Sequence, residues 1–284
     1  MRVKNSQKTL NQAHKTIENM VKKTDKSSQI FKVAITGTRK VEVLRKIWLQ
    51  RKEMLHVATV NSEYIMEARS NPKFADVLGK CLTIADGWGV VWADQITNQK
   101  FSNSPINTSN SQMRENSNLE RISGVELVKE ILLHASQNGE KVFLLGAGSG
   151  VAEKAAKEMS KKYPGLQISW YEGAKTVRVE KDEEANMTIA KINSICPDYL
   201  LVAYGSPHQD LWIEENRPYL RVRVAVGVGG TLDEWAGVVK LAPEWIDQMG
   251  LKWLWRVIHE PWRIGRILRV LQFGLLVLYH KSID

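Results

Sequence analysis

The amino-acid sequence predicts an α/β protein in which helices alternate with the strands of a parallel sheet. Between residues 141 and 228, short apolar runs alternate with amphipathic stretches of helical length, the pattern of βαβ units. The chain has 284 residues, 43% of them hydrophobic, enough for one large domain or two small ones. This composition excludes a disulfide-framed miniprotein, a collagen-like fibre and a wholly disordered chain.

Residues 1–30 are predicted to form a flexible, basic and polar extension. A folded core is predicted over residues 31–245. The expected elements are strands at His56–Val60 and Cys81–Ala85, a helix at Ser62–Arg69, and helices beginning near Val90 and Val125. Residues 97–120 are rich in Asn and Ser, which predicts an inserted surface loop.

The second part supplies the regular alternation. The predicted strands are Lys141–Leu145, Leu166–Tyr171, Tyr199–Tyr204 and Arg223–Val228, and the helices between them are Val151–Tyr163, Glu183–Ile195 and Gln209–Asn216. Ligands of parallel sheets bind at the carboxyl ends of strands, so the loops after Leu145, Tyr204 and Val228 are candidate binding loops.

Charge is distributed unevenly along the chain. The net charge is +11 over residues 1–52, −6 over residues 53–248 and +4 over residues 249–284. Basic ends on an acidic body fit docking on an anionic membrane better than binding along a nucleic-acid groove. A solvated lysine tail is the alternative for the N-terminal excess.

The cellular compartment is expected to be the cytoplasm. We find no signal-peptide pattern and no uninterrupted apolar run of about 18 residues, so any membrane contact should be peripheral. Cys81 and Cys196 lie far apart and outside metal-ligand spacing, which predicts two small core residues in a reducing compartment.

A glycine-rich turn, Gly146-Ala147-Gly148-Ser149-Gly150, follows one predicted strand and precedes a helix. Its backbone, with Gly146 and Gly148, could approach a phosphate at the helix N-terminus. The third glycine of a dinucleotide fingerprint is replaced by Val151, and no Lys-Ser/Thr pair follows, so the turn is not a P-loop. A phosphate site and a plain tight turn both remain open.

Polar residues follow three other predicted strands. Asp86 stands beside glycines, where it could act as a general base, bind a ligand hydroxyl or cap a helix, and spacing alone favours the cap. Thr59 and Asn61 are neutral hydrogen-bonding residues suited to sugar hydroxyls or a uracil ring. Asp233 follows three glycines, so it could bind a ribose or base, or cap a helix.

The C-terminal residues 246–284 combine Trp, Arg and Leu at helical spacing. This pattern fits either a helical appendage at a lipid interface or a helical hairpin packed on the core. From the residues alone, these two interpretations carry equal weight.

Several motifs occur in a characteristic order along the chain. They are Thr59-Val60-Asn61, Ile84–Val91, Arg121–Leu127, Gly205–Ile213, Gly229–Gly237, Ala242–Trp245, Gly250–Arg256 and Glu260–Arg263. Together they resemble the WecG/TagA/CpsF family of bacterial glycosyltransferases, which includes N-acetylmannosaminyltransferases of teichoic acid and enterobacterial common antigen synthesis. The resemblance covers about residues 31–279.

The resemblance implies a Rossmann-like core with helices on both faces and a C-terminal membrane-binding appendage. It implies an inverting, metal-independent transfer of a hexosyl group, such as N-acetylmannosamine, from a UDP-sugar without a further cofactor. The acceptor would be a polyprenyl-diphosphate-linked sugar at the inner face of the plasma membrane, with no nucleic acid as partner. The oligomeric state stays open, a homo-oligomer being one possibility.

The resemblance also assigns roles. Asp86 would deprotonate the acceptor hydroxyl, with Thr59 and Asn61 in the same pocket. Arg121 would help to hold the diphosphate, and Gln209 and Asp233 would contact the uridine. The C-terminal appendage would bring three arginines to the active site: Arg256, Arg263 and Arg266. The sequence has no Asp-X-Asp motif, which argues against a metal-held diphosphate, and arginine is suited to bind phosphate oxygens in its place.

Three features depart from the family pattern: the polar insertion before Arg121, the sequence Gln209-Asp210 in place of Gln-Glu, and the basic extension. Two other functions are compatible with part of the sequence. One is a nicotinamide-dependent oxidoreductase that uses the glycine-rich turn, with Glu172 binding the ribose. The other is a nucleic-acid-binding module driven by the basic N-terminus, which the acidic body does not suit.

Overall fold

The computed structural model describes residues 27–98, 119–174, 182–239 and 264–281, together with Pro243, Ile246, Trp255 and Ile258. Most of the predicted extension and of the inserted loop therefore lies outside the described residues. So do Arg256 and Arg263, and of Arg266 only the backbone is described.

Eight strands and ten α-helices are described. The strands are β1 Ser28–Ile30, β2 Val33–Ile35, β3 Leu55–Val60, β4 Leu82–Ala85, β5 Lys141–Gly146, β6 Gln167–Tyr171, β7 Tyr199–Ala203 and β8 Val224–Gly227. The helices are α1 Lys40–Leu49, α2 Ser62–Ser70, α3 Pro72–Lys80, α4 Trp88–Asn98, α5 Gly124–Asn138, α6 Val151–Lys162, α7 Asp182–Ile195, α8 His208–Asn216, α9 Thr231–Trp235 and α10 Ile264–Lys281.

Strands β3 to β8 form one parallel sheet in the order β4-β3-β8-β7-β5-β6, while β1 and β2 form a separate antiparallel pair. Alternate side chains of each strand face opposite sides, as the pleat requires. On one side the core packs against α1, α5, α6 and α9. On the other side it packs against α2, α3, α4, α7, α8 and α10. The predicted parallel sheet with helices on both faces is confirmed.

Two sequence predictions need correction. The polar extension was expected to reach residue 30, yet Ser28–Ile30 pair with Val33–Ile35, and Ile30 and Ile35 are fully buried. Cys196 was expected in the core, but it lies exposed at the end of α7 with a positive φ of 48°. Ser28–Ile30 belong to the folded core because Ile30 packs among buried apolar residues. Cys196 is exposed because helix α7 ends at the surface there. Cys81 is buried as predicted.

Helix α10 has one buried and one exposed face. Phe273 and Val277 are buried in the same cluster as residues of α2 and α4, and the Phe273 ring meets Phe31 edge-on at 6.2 Å. The leucines of the outward face are more than half exposed: Leu268, Leu271, Leu275 and Leu278. Among the described residues, no helix is both long and apolar enough to cross a bilayer.

The docking of α10 gives the first prediction. Phe273→Ala leaves a cavity between α10 and the core, and it should lower the free energy of unfolding by about 3 kcal/mol. Leu275→Ala, on the exposed face of the same helix, should change it by less than about 0.5 kcal/mol. Urea denaturation measures both values, and equal losses in the two variants would contradict this packing.

Candidate active site

Two of the predicted site residues lie at the carboxyl ends of β3 and β4. Thr59 lies at the end of β3, and its hydroxyl donates to the carbonyl oxygen of Gly227 at the end of β8, at 3.3 Å. Asp86 follows β4, and its Oδ1 accepts a hydrogen bond from the backbone N–H of Gly124 at 2.6 Å. Gly124 is the first residue of α5, so the carboxylate lies at the positive end of that helix.

Gly124 is the point at which these residues converge. A Cβ atom there would lie 3.0 Å from Cγ2 of Thr59 and 3.6 Å from Oδ1 of Asp86. A side chain would therefore push the threonine away and crowd the carboxylate. The motif Arg121–Leu127 contains this glycine, but sequence reasoning did not assign it a role.

Arg121 lies next to Asp86. Its Nε donates to the backbone carbonyl of Asp86 at 3.4 Å, and its guanidinium lies 5.3 Å from the ring centroid of Trp88. The neighbouring residue Ile122 donates its N–H to the carbonyl of Ala85 at 2.8 Å, which fixes this segment against β4. A guanidinium is thus held at the backbone of the Asp86 loop.

Asn61 caps a helix. Its Oδ1 accepts from the N–H of Tyr64 in the first turn of α2 at 3.1 Å. The side chain lies near Gly87, whose missing Cβ would be 3.6 Å from Cβ of Asn61. Asn61 is therefore close to the Asp86 loop, while its carbonyl oxygen already serves the backbone.

Gln209 and Asp233 flank the loop between β8 and α9. Asp233 lies in the first turn of α9 and is partly exposed. Gln209 is only 2% exposed, and its Oε1 accepts from the N–H of Gly229 at 2.9 Å while its Nε2 donates to Tyr64 Oη at 2.8 Å. Both ends of the buried Gln209 amide are thus engaged within the protein, and its direct contact with a uridine stays a prediction.

The glycine-rich turn contains a carboxylate of its own. Glu172 accepts hydrogen bonds from the N–H of Gly150 at 2.5 Å and from the hydroxyl of Ser149 at 3.4 Å. Gly146 has a positive φ of 94° and lies against the ring of Tyr204. A phosphate at the N-terminus of α6 would have to displace the Glu172 carboxylate, so the geometry favours the tight-turn interpretation.

A buried polar cluster lies beneath the site. His56, on β3, is hydrogen-bonded through Nε2 to Asp210 at 3.1 Å and through Nδ1 to Glu214 at 3.0 Å, and Nδ1 is also 3.1 Å from Cys81 Sγ. Glu214 forms a salt bridge with Arg217 at 2.5 Å. The only sequence signal for this cluster is a histidine within an apolar strand, and sequence reasoning missed it.

The physical cause of each pKa shift in this cluster is clear. Burial alone would lower the pKa of His56, but its hydrogen bonds to Asp210, Cys81 and Glu214 outweigh burial and hold the pKa well above 6.5. Burial alone would raise the pKa of Glu214, but His56 and Arg217 bring it to about 2. The imidazolium and guanidinium thus balance two carboxylates in the interior.

The cluster also has the composition of a metal site. Ligand atoms of His56, Cys81 and Glu214 lie within 4.8 Å of one another, a spacing that, in the described part of the chain, only this group offers to an ion. His56 Nδ1 already contacts both partners, however, and Glu214 is held by the Arg217 fork. The hydrogen bonds account for every group, so we treat the cluster as a buried ion-pair network.

This chain is similar in sequence to known glycosyltransferases. The model of the glycosyl transferase WecG/TagA/CpsF family matches residues 28–283. An N-acetylglucosaminyldiphosphoundecaprenol N-acetyl-β-D-mannosaminyltransferase of Bacillus subtilis strain 168 is 29% identical over 243 residues, covering 85% of this chain and 86% of the relative. A protein of the same name from Staphylococcus aureus strain MRSA252 is 30% identical over 219 residues, 77% of each chain.

The buried network predicts a pH-dependent stability. A raised pKa in the folded state means that the contribution of His56 is fully present below pH 6.5 and is lost as pH rises through its folded pKa. The free energy of unfolding should therefore fall between pH 6.5 and pH 9, below the ordinary pKa of Cys81. His56→Gln should flatten this slope, whereas His134→Gln, at a partly exposed histidine, should preserve it. Urea denaturation across this range measures the slope, and an unchanged slope in His56→Gln would refute the charged imidazolium.

Proposed function

The chain belongs to the WecG/TagA/CpsF family of glycosyltransferases, and we propose that it transfers a hexosyl group from a UDP-sugar to a polyprenyl-diphosphate-linked sugar. The observation that carries this proposal is the placement of Asp86 at 2.6 Å from the N-terminal N–H of α5, with Arg121 beside it. A carboxylate next to a fixed cation at one edge of the sheet provides both a base and a counter-charge for a leaving diphosphate.

The proposed reaction is a single displacement with inversion. Asp86 accepts the proton of the acceptor hydroxyl while that oxygen forms a bond to the anomeric carbon. The bond from the anomeric carbon to the UDP oxygen breaks, and the diphosphate leaves with the electron pair. Thr59 and Asn61 line the pocket, and Arg121 faces the developing charge. The hydrogen bond from Gly124 keeps the Asp86 carboxylate oriented between turnovers.

The names of the relatives support a narrower substrate class. Both relatives are named for the transfer of N-acetylmannosamine to N-acetylglucosaminyl-diphospho-undecaprenol. We propose the same class of acceptor and an N-acetylmannosamine or related hexosyl donor for this chain. Asp233, partly exposed in α9, is the proposed contact for the uridine, and Gln209 supports the loop from below.

We propose that arginines, rather than a metal ion, neutralise the departing diphosphate. Arg121 is the one of these whose contacts are described, and Arg256, Arg263 and Arg266 are proposed to join it from the C-terminal segment. A dinucleotide-binding function is less well supported, because Glu172 occupies the Gly150 N–H and the Ser149 hydroxyl at the turn where a pyrophosphate would bind.

The exposed face of α10 supports membrane association as part of this function. Leu271 and Leu275 are 57% and 69% exposed and lie on the same side of the helix, four residues apart. A hydrophobic face held against the core by Phe273 on its other side can enter the interfacial region of a bilayer without crossing it. We propose that this face brings the site to its lipid-linked acceptor.

The role of Asp86 is tested with Asp86→Asn. The amide oxygen can still accept from Gly124, so the fold and UDP affinity should be retained, while turnover falls by about 10²–10⁴-fold because the base is lost. Asp182→Asn, which removes an exposed acid on α7, is the matched control. Turnover of a UDP-hexosamine series with a short polyprenyl-diphosphate-GlcNAc acceptor is the assay, and full activity in Asp86→Asn would remove Asp86 from this role.

UDP binding is measured separately from turnover, by the thermal midpoint of unfolding. UDP should raise the thermal midpoint of both the wild type and Asp86→Asn, whereas NAD should not. Stabilisation by NAD alone would favour the oxidoreductase.

Membrane docking is tested with the double substitution Leu271→Glu and Leu275→Glu. Each substitution removes a leucine side chain that would be buried in the interfacial region of the bilayer. Binding to vesicles that contain anionic phospholipid should therefore fall by about tenfold or more per residue. The control is Val41→Glu with Leu49→Glu, two equally exposed apolar residues of α1. Sedimentation with vesicles measures binding, and equal losses in both double variants would reject α10 as the docking face.

A further inference from the structure

A chain of hydrogen bonds connects the buried ion-pair network to the loop between β8 and α9. The N–H of Gly229 donates to Gln209 Oε1 at 2.9 Å, and Gln209 Nε2 donates to Tyr64 Oη at 2.8 Å. Tyr64 Oη then donates to Asp210 Oδ2 at 2.7 Å, and Asp210 Oδ1 is 3.1 Å from His56 Nε2. The chain therefore crosses from the loop to the interior through side chains of α8 and α2.

The direction of the hydrogen bonds from Gly229 to Asp210 is determined. A backbone N–H can only donate, so it must face the carbonyl oxygen of Gln209, and the amide NH₂ of Gln209 must face Tyr64. Tyr64 then uses its single hydrogen on Asp210, which accepts as a carboxylate. Because the sequence of donors and acceptors has one solution, it fixes the orientation of Gln209.

All the side chains in the chain are buried. Tyr64 is 3% exposed, Gln209 is 2% and Asp210 is 0%. Buried polar groups that lose a partner retain their desolvation cost, so each member is held in place by its neighbours. A rigid support of this kind lies directly beneath a loop that contains Gly229, with a positive φ of 52°.

The loop that this support holds is part of the proposed donor site. Gly227, the last residue of β8 before this loop, accepts a hydrogen bond from the hydroxyl of Thr59, and the loop continues into α9 with Asp233 in the first turn. A Cβ atom at Gly227 would collide with the side chain of Gln209 and would lie 2.9 Å from Asp210 Oδ1. The loop thus rests on these two side chains.

We propose that Tyr64 and Asp210 are positioning residues that hold the β8–α9 loop, through Gln209, in the form that binds the nucleotide of the donor. This inference rests on the proposed function. Neither residue touches the reacting atoms, and Asp86 follows β4, outside this chain of bonds. Loss of the support should therefore weaken donor binding and leave the chemical step nearly unchanged.

The test compares Tyr64→Phe with Tyr199→Phe. Both remove the hydroxyl of a buried tyrosine, but the Tyr199 hydroxyl donates to Glu140 at 2.7 Å, at the opposite end of the sheet. In Tyr64→Phe, the Kd for UDP and the KM for the donor should rise by about tenfold, the loss expected from one buried hydrogen bond, with kcat within about twofold. Tyr199→Phe should leave all three constants unchanged. Equal constants in the two variants, or a fall in kcat alone in Tyr64→Phe, would overturn the inference.

A double-mutant cycle separates support from direct contact. If Gln209 acts on the donor only through this chain, Gln209→Met and the pair Gln209→Met with Tyr64→Phe should have the same Kd for UDP. Additive losses would overturn the inference. Amide hydrogen exchange at Gly229 offers a readout even if a variant is too unstable for kinetics: exchange should accelerate in Tyr64→Phe and not in Tyr199→Phe.

Failure of the inference can be told apart from failure of the proposed function. A wild-type protein that neither binds UDP nor transfers a sugar overturns both. A wild-type protein that does both, with Tyr64→Phe indistinguishable from Tyr199→Phe, overturns only the positioning role.

Discussion

Strand β3 pairs in parallel with β4 on one side and with β8 on the other, and the candidate site depends on this arrangement. Parallel pairing brings the carboxyl ends of all three strands to the same edge, although their residues are separated by up to 168 positions in sequence. Thr59 is the second-last residue of β3, Asp86 follows β4 and Gly227 ends β8. A shift of register by one residue in β3 would turn the Thr59 side chain to the opposite face of the sheet.

The buried charges are a second consequence of the same strand. His56 stands three residues before Thr59 and faces the opposite side of the sheet, where Asp210 and Glu214 approach from α8. Burying two carboxylates is costly unless cations compensate them, and His56 and Arg217 do so. The same β3 strand thus presents a neutral hydroxyl to the site and a cation to the interior. This alternation joins the chemistry at the sheet edge to the electrostatics of the core.

Sequence patterns predicted the sheet because parallel strands and their helices leave short apolar runs and amphipathic stretches in the chain. They also indicated Asp86 and Thr59, since polar residues at strand ends stand out beside apolar runs, whereas Arg121 was indicated only by the resemblance to the family. They could not predict that Glu172 would bind the glycine-rich turn, because that contact depends on the pairing of β5 with β6. Nor could they assign Gln209 an inward orientation or detect the His56 network, both of which depend on packing between α2, α8 and β3.

The most direct test of this account is amide hydrogen exchange of the full chain with and without UDP. Binding at the shared edge of β3, β4 and β8 should slow exchange at Val60–Asn61, Asp86–Gly89, Arg121–Gly124 and Gly227–Asp233. UDP that binds and protects none of these segments would contradict the account.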